Sequence, residues 1–113
     1  MTQTPKPNGV ESIAAERKRQ IKAEGWTLEH DDSHTLGELA LAAAIYAIPY
    51  DAEIAGERLI KQDDHIGLDM ALEIACGWKV KPNTDKRRRL EIAGALIAAE
   101  IDRLDRIESR RSK

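Results

Sequence analysis

The last third of the chain constrains the fold most, because its apolar residues recur with the spacing of an α-helix. Residues 85–106 read DKRRRLEIAGALIAAEIDRLDR, with charged residues between the apolar ones. Steps of three and four residues form one continuous stripe along a helix. We therefore predict a helix of about four to six turns that packs against an alanine-rich partner helix. The stripe consists of Leu90, Gly94, Ile97, Ile101, Leu104 and Glu108.

Three further helices are predicted upstream. Residues 10–24 form a charged helix that ends at Gly25, where a left-handed turn is typical. Residues 36–47, LGELALAAAIYA, form the alanine-rich helix, with Ser33 or Thr35 as its cap. In the middle, residues 52–60 resemble a short helix interrupted by glycine, and residues 65–76 form a third helix that closes at a glycine. The last helix takes its cap from Asn83, Thr84 or Asp85.

Composition agrees with a single helical domain. The 113 residues are 42% hydrophobic, only 4% aromatic and 34% charged, and Phe is absent. Ala, Leu, Glu, Lys and Arg favour helices, whereas strands prefer β-branched and aromatic residues. We predict an all-α, compact up-and-down bundle of about four helices over residues 10–113, preceded by a flexible tail over residues 1–9.

Charge and cysteine usage narrow the setting. A formal charge of −2 gives no global basic field, so nucleic-acid binding is disfavoured. The single cysteine, Cys76, cannot form an internal disulfide, and no long apolar run or signal-like start is present. We expect a cytoplasmic protein that does not act at a membrane.

A polar cluster, HDDSHTLGE, occupies residues 30–38. His34 and Glu38 are four residues apart and would share one helical face, with Asp31 and Asp32 just before them. Carboxylates with one imidazole suit Mg²⁺ or Mn²⁺ better than structural zinc. Asp, Ser and Thr before a helix are also ordinary caps, so both interpretations stay open.

A basic turn opens the last helix. The cations at residues 86–89 lie where the helix dipole disfavours them, by about 0.3 to 1 kcal/mol each. With Lys79 and Lys81 nearby they could bind phosphate; alternatively Asp85 and the acidic cluster neutralise them, or they form a solvated face. Trp26 and Trp78 each follow a helix-ending glycine, and they could stack on a base or anchor the core.

Two long segments carry a resemblance. ERKRQIKAEGWTLEHDDSHTLGELALAAAIYA and WKVKPNTDKRRRLEIAGALIAAEIDRLDR resemble small proteins encoded by bacteriophages and prophages, and the match spans most of the chain. GELALAAA also looks, more loosely, like part of the MazG-like all-α nucleoside triphosphate pyrophosphohydrolases. That family holds Mg²⁺ through an ExxE pair on one helix and an ExxD pair on the next.

The MazG-like resemblance assigns catalytic roles to Glu38 and Glu91. Thr35 stands where the first Glu of one pair is expected, and Gly94 where the Asp of the other is expected. Other side chains would have to complete a shell for Mg²⁺ or Mn²⁺. The predicted metal ligands are Asp31, Asp32, His34, Glu38 and Glu100, and the predicted phosphate and ligand contacts are Lys79, Arg87, Arg88 and Trp26.

Three functions follow from these patterns. The first is metal-dependent hydrolysis of a nucleotide phosphoanhydride. The second is binding of a nucleotide or cyclic nucleotide without chemistry, as in a phage protein that sequesters a host defence signal. The third is inhibition of a host protein through the charged faces. The resemblance also implies a homodimer, and the alanine-rich helix and the stripe of the last helix could supply its interface.

Overall fold

Five helices and one pair of very short strands make up the described part of the chain. A computed structural model describes residues 6–49, 53–54, 57–58, 62–80 and 85–111. Four of the helices have ten residues or more, so the chain is an all-α globule, as predicted. In chain order the elements are α1 (Gly9–Ala23), α2 (Leu28–Asp32), α3 (Glu38–Ala47), β1 (Glu53–Ile54), β2 (Glu57–Arg58), α4 (Gln62–Cys76) and α5 (Lys86–Arg111).

Local signals fix most helix ends. Asn8 and Glu11 form a reciprocal capping box at the start of α1, which satisfies two otherwise unpaired N–H groups. Gly25 and Gly77 follow α1 and α4 with φ of 70° and 74°, a left-handed conformation that glycine adopts without strain. The Oδ1 of Asp85 accepts two backbone N–H groups in the first turn of α5, at 3.0 and 3.3 Å. These ends agree with the sequence predictions.

The start of α3 differs from its prediction. Neither Ser33 nor Thr35 caps it; the helix begins at Glu38, after Gly37, whose φ is 85°. The hydroxyl of Ser33 instead donates to the carbonyl of His30 at 2.6 Å, at the end of α2. The left-handed glycine separates two helices where the periodicity suggested one continuous start.

Two other predictions concern segments that are described only in part. Residues 53–54 and 57–58 pair as antiparallel strands, with Glu53 opposite Arg58, so the predicted short helix is wrong there. A two-residue connection that contains glycine is typical of a β-hairpin. At the N-terminus, residues 1–5 of the predicted tail lie outside the described residues, and Asn8 already belongs to the cap of α1.

The longest helix, α5, is the centre of the packing. It lies against α3, as predicted, and also contacts α1 and α2, while α4 packs on α3. Among the described residues, no helix is both long enough and apolar enough to cross a membrane. The core consists of Leu39, Ala42, Ala43, Ile45, Tyr46, Leu72, Trp78, Ile92, Ala93, Leu96 and Ala99.

The buried face of α5 is not the predicted one. Leu90, Ile97, Ile101 and Leu104 of the predicted stripe remain 50 to 55% exposed. The opposite side of the helix, with Ile92, Ala95, Leu96 and Ala99, is buried instead. Its alanines allow the close approach of the alanine-rich α3, which a row of Leu and Ile would prevent. Both faces of α5 are apolar, and packing against α3 chose between them.

Arg89 shows why this face can be buried although it carries a cation. Its guanidinium donates to the carbonyls of Ile45 and Tyr46, at 2.7 and 3.1 Å, and lies 5.4 Å from the centre of the Tyr46 ring. These carbonyls are at the end of α3, where the helix dipole is negative. One of the four cations in the basic turn therefore stabilises the contact between α3 and α5.

Candidate functional site

The two tryptophans of the chain lie side by side, and the same local device positions both. Each directly follows a left-handed glycine that ends a helix, Gly25 after α1 and Gly77 after α4. The N–H of Trp26 donates to the carbonyl of Gln20 at 3.0 Å, which ties the indole to the end of α1. The two indole rings are 5.0 Å apart between centroids.

Two histidines extend this aromatic group. The short helix α2 is capped by Thr27 and carries His30, and His34 follows it four residues later. The His30 ring lies parallel to the Trp26 ring, with centroids 5.6 Å apart, and meets the His34 ring edge-on at 4.8 Å. The His34 ring lies 5.1 Å from that of Trp78. Four aromatic rings from three parts of the chain thus converge.

These rings border a cleft of about 360 Å³, which we call the aromatic cleft. Its rim carries one side chain of each charge, Lys79 and Glu24. Lys79 is 81% exposed, and its Nζ is 3.9 Å from the nearest carboxylate oxygen of Glu73. The lining residues are Glu24, Trp26, His30, His34, Cys76, Gly77, Trp78 and Lys79.

Burial lowers the pKa of His34 below its ordinary value of 6.5. The neighbouring His30 lowers it further, and Glu38 and Asp31 oppose the shift only in part. At neutral pH the His34 ring is therefore uncharged, with one nitrogen that donates and one that accepts a hydrogen bond.

The aspartates predicted as metal ligands are held by arginines instead. Asp31 is 1% exposed; its carboxylate is 3.2 Å from Arg17 and 3.1 Å from the Nδ1 of His30. Asp32 is 26% exposed and accepts from Arg106 at 2.7 Å and from a second arginine of α5. Arg106 donates hydrogen bonds to the carboxylate of Asp32, which lowers the pKa of Asp32. The two neighbouring aspartates face different partners.

The predicted glutamates are likewise dispersed. Glu38 accepts the N–H of Leu36 at 2.8 Å, Glu91 pairs with two arginines of α5, and Glu100 pairs with Arg103. Within the described ranges, no group of three or more His, Cys, Asp or Glu side chains could hold a metal ion. The predicted ligands therefore do not fit Mg²⁺ or Mn²⁺ as they stand, and we derive no step through a metal.

The cations predicted to bind phosphate divide between two places. Lys79 and Trp26 both line the aromatic cleft. Arg88 instead lies 2.7 Å from Glu16 and 3.1 Å from Glu91, between α1 and α5. Arg87 lies 2.7 Å from Glu91 and donates to the hydroxyl of Ser12 and the carbonyl of Pro7, each at 2.9 Å.

We call the ion pairs between α1 and α5 the arginine network, formed by Glu16, Arg19, Arg87, Arg88 and Glu91. Its centre is the buried carboxylate of Glu16, which Arg19 approaches to 2.7 Å and Gln20 to 3.1 Å. Burial alone would raise the pKa of Glu16, but the hydrogen bonds from Arg19, Arg88 and Gln20 outweigh it, so the pKa is lowered. The network neutralises itself.

Some cleft residues were not predicted as site residues, namely Glu24, His30, Cys76 and Trp78. A usable signal was present, because Gly-Trp occurs twice, each time after a helix, and the two histidines are four residues apart. What the sequence did not reveal is that the ends of α1 and α4 meet.

Comparison with known proteins adds no assignment. Neither family models, nor curated proteins, nor solved structures give a significant match to this chain.

Proposed function

We propose that this protein binds a nucleotide in the aromatic cleft, with the base against the rings and the phosphate beside Lys79. The observation that carries the proposal is the convergence of four aromatic rings on a cleft of about 360 Å³ with an exposed lysine at its rim. Clefts of roughly 300 to 1,000 Å³ are typical of small-molecule sites.

The chemistry of the lining suits a heteroaromatic base. Stacking on aromatic side chains contributes about 1 to 3 kcal/mol per base in nucleic-acid complexes, and it tolerates different bases. The uncharged ring of His34 offers a donor and an acceptor to the edge of a base. Glu24, on the rim, can accept a hydrogen bond from an amino or hydroxyl group.

Charge limits the number of phosphates. Among the described residues that line the cleft, Lys79 is the one cation, and the carboxylate of Glu24 is on the same rim. Arg87 and Arg88, which could have extended a phosphate clamp, pair with carboxylates of the arginine network. A nucleotide with one phosphate, or a cyclic nucleotide, therefore fits better than a triphosphate.

Binding without hydrolysis agrees with the geometry better than catalysis. Metal-assisted hydrolysis by Glu38 and Glu91 stays a prediction, because its carboxylates are separately bonded and form no common ligand group in the described residues. The resemblance to phage-encoded proteins would make capture of a host nucleotide signal the biological setting of such binding.

Intrinsic fluorescence tests the proposal directly, since both tryptophans of the chain line the cleft. The protein would be titrated with nucleoside monophosphates, cyclic mono- and dinucleotides and triphosphates, in EDTA and in Mg²⁺. N-acetyltryptophanamide corrects for light absorbed by the bases. We expect saturable quenching by at least one monophosphate or cyclic nucleotide in EDTA, with the ligand recovered intact by chromatography.

Two substitutions locate the bound ligand. Lys79→Ala should weaken nucleotide binding about tenfold and leave nucleoside binding unchanged, because only the phosphate contact is lost. Trp26→Ala should weaken both. Lys18→Ala is the matched control, since it removes an exposed lysine that does not line the cleft.

The absence of saturable quenching by every nucleotide would overturn the proposal. So would equal losses in Lys79→Ala and Lys18→Ala, which would indicate a general charge effect. Conversion of a triphosphate only when Mg²⁺ is present would favour the hydrolytic prediction instead.

A further inference from the structure

The apolar stripe left uncovered on α5 is the feature that the nucleotide proposal does not use. We call Leu90, Ile97, Ile101 and Leu104 the exposed stripe; each is 50 to 55% exposed. The residues lie within about 40° of one line along the helix, on the side roughly opposite the core face. Isolated surface aliphatics are ordinary, but four aligned on one helix form a contiguous patch, and such patches mark interaction sites.

We infer that this stripe is a self-association surface, on which the α5 helix of a second copy of this chain packs antiparallel. The spacing of seven, four and three residues is that of positions a and d in a heptad repeat. Such a stripe packs best on a long helix with the same repeat. In the described part of the chain, α5 itself, with 26 residues, is the helix of that length.

Shape agrees with one register. If Ile97 faces Ile101 of the second copy, Gly94 faces Leu104 of the second copy, because both pairs have the same midpoint. Beside Leu90, a groove of about 160 Å³ lies between α1 and α5. Ile13 packs onto Gly94 so closely that a Cβ there would be 2.5 Å from its Cδ1, so one wall of this region is fixed. The incoming leucine would cover the groove.

Charge favours the antiparallel direction. The first turn of α5 carries four consecutive cations, residues 86–89, and a parallel pair would bring two such turns together at one end. Like charges in an interface oppose association. An antiparallel pair separates them and brings each basic turn toward Asp105 and Glu108, which lie near the stripe on the last turns of the other helix. It also opposes the two helix dipoles.

Sedimentation equilibrium and light scattering of the whole chain test the inference. We expect the wild-type protein to be a dimer at micromolar concentration. Ile101→Glu and Ile97→Glu should each raise the dimer dissociation constant by at least about 100-fold, because each places a charge at the centre of an apolar contact. Circular dichroism should stay unchanged, since both positions are half exposed in the single chain. The matched control is Ile74→Glu, at an isoleucine of α4 that is 81% exposed, and this variant should remain a dimer.

Disulfide trapping tests the direction in a Cys76→Ser background. Leu90→Cys chains should not cross-link to one another, because positions 90 of an antiparallel pair are about 27 Å apart along the helix axis. A mixture of Leu90→Cys and Leu104→Cys chains should form the mixed disulfide. Rapid cross-linking of Leu90→Cys alone would overturn the antiparallel arrangement.

Three results would overturn the surface itself. One is a wild-type protein that stays monomeric at about 0.5 mM, far above the concentration at which a specific dimer of this kind forms. Another is an equal loss of dimer in Ile101→Glu and Ile74→Glu. The third is a monomer that dimerises only after residues 1–5 are removed, which would make the chain's own N-terminal segment the occupant of the stripe.

Discussion

The aromatic cleft and the arginine network differ in what their side chains leave for a ligand. In the network, Glu16 alone is approached by Arg19 and Arg88, so its dense charge is consumed within the molecule. In the cleft, rings contact one another while Lys79 extends into solvent. The comparison teaches that a cluster of charge in a sequence is weak evidence for a binding site. The number of partners that the fold supplies to each charge decides whether a site remains.

Removal of the buried centre of the network should have the largest effect on stability. Glu16→Ala would leave Arg19 and Arg88 without their shared carboxylate. We expect the free energy of unfolding to fall by about 2 to 4 kcal/mol, less than for a fully buried pair because both arginines still reach water. Urea denaturation measures this loss.

Two controls sharpen the Glu16 experiment. Glu73→Ala removes an exposed glutamate and should change stability by less than about 0.5 kcal/mol. Nucleotide binding at the cleft should survive in Glu16→Ala wherever the protein is folded. A stable Glu16→Ala protein that has lost binding would mean that the network, not the cleft, holds the ligand.

The neighbouring aspartates provide a second contrast. Asp31→Ala should destabilise the protein by about 2 to 3 kcal/mol, because it leaves the Arg17 guanidinium, itself largely buried, without its carboxylate. Asp32→Ala should cost clearly less, since Asp32 and its arginines are more accessible to water. Thermal unfolding of the two variants and of the wild type measures the difference. Equal losses would contradict the assigned partners.

The smallest effect is a pH dependence that separates the two regions. Because the folded-state pKa of His34 is lowered, the unfolded chain takes up a proton first as the pH falls below about 6.5, and stability decreases there. Glu16 and Asp32, whose pKa values are also lowered, contribute stability that is lost only below their ordinary values of 4.5 and 3.8.

Unfolding at a series of pH values should therefore show two decreases. His34→Gln should remove the decrease near pH 6.5 and keep the acidic one. If the wild-type stability were flat between pH 7.5 and pH 5, the lowered pKa of His34 would be contradicted.

Helix ends were predictable because their causes are local. Gly25 and Gly77 adopt positive φ directly after a helix, and Asp85 caps the helix that follows it within three residues. Such signals depend on neighbours in the chain, which the sequence displays. Gly37 is the instructive exception, since a left-handed glycine before α3 broke a pattern that the apolar spacing had extended further upstream.

Partners distant in the chain were not predictable. Asp31 meets Arg17 fourteen residues earlier, and Asp32 meets Arg106 seventy-four residues later. From the sequence, both aspartates had only a helix start or an ion as candidate partners. The fold brings α1 and α5 to either side of α2, and so turns two predicted metal ligands into members of ion pairs.

The sequence by itself determined an all-α chain, most of its helix ends and the pairing of α5 with the alanine-rich α3, because propensity, capping and periodicity act over a few residues. Only the tertiary structure decided which of the two apolar faces of α5 is buried, since both satisfy the same period and the choice depends on the shape of α3. It also decided which polar residues meet. The two Gly-Trp segments became one cleft because α1 and α4 end at the same place, and no local rule contains that distance.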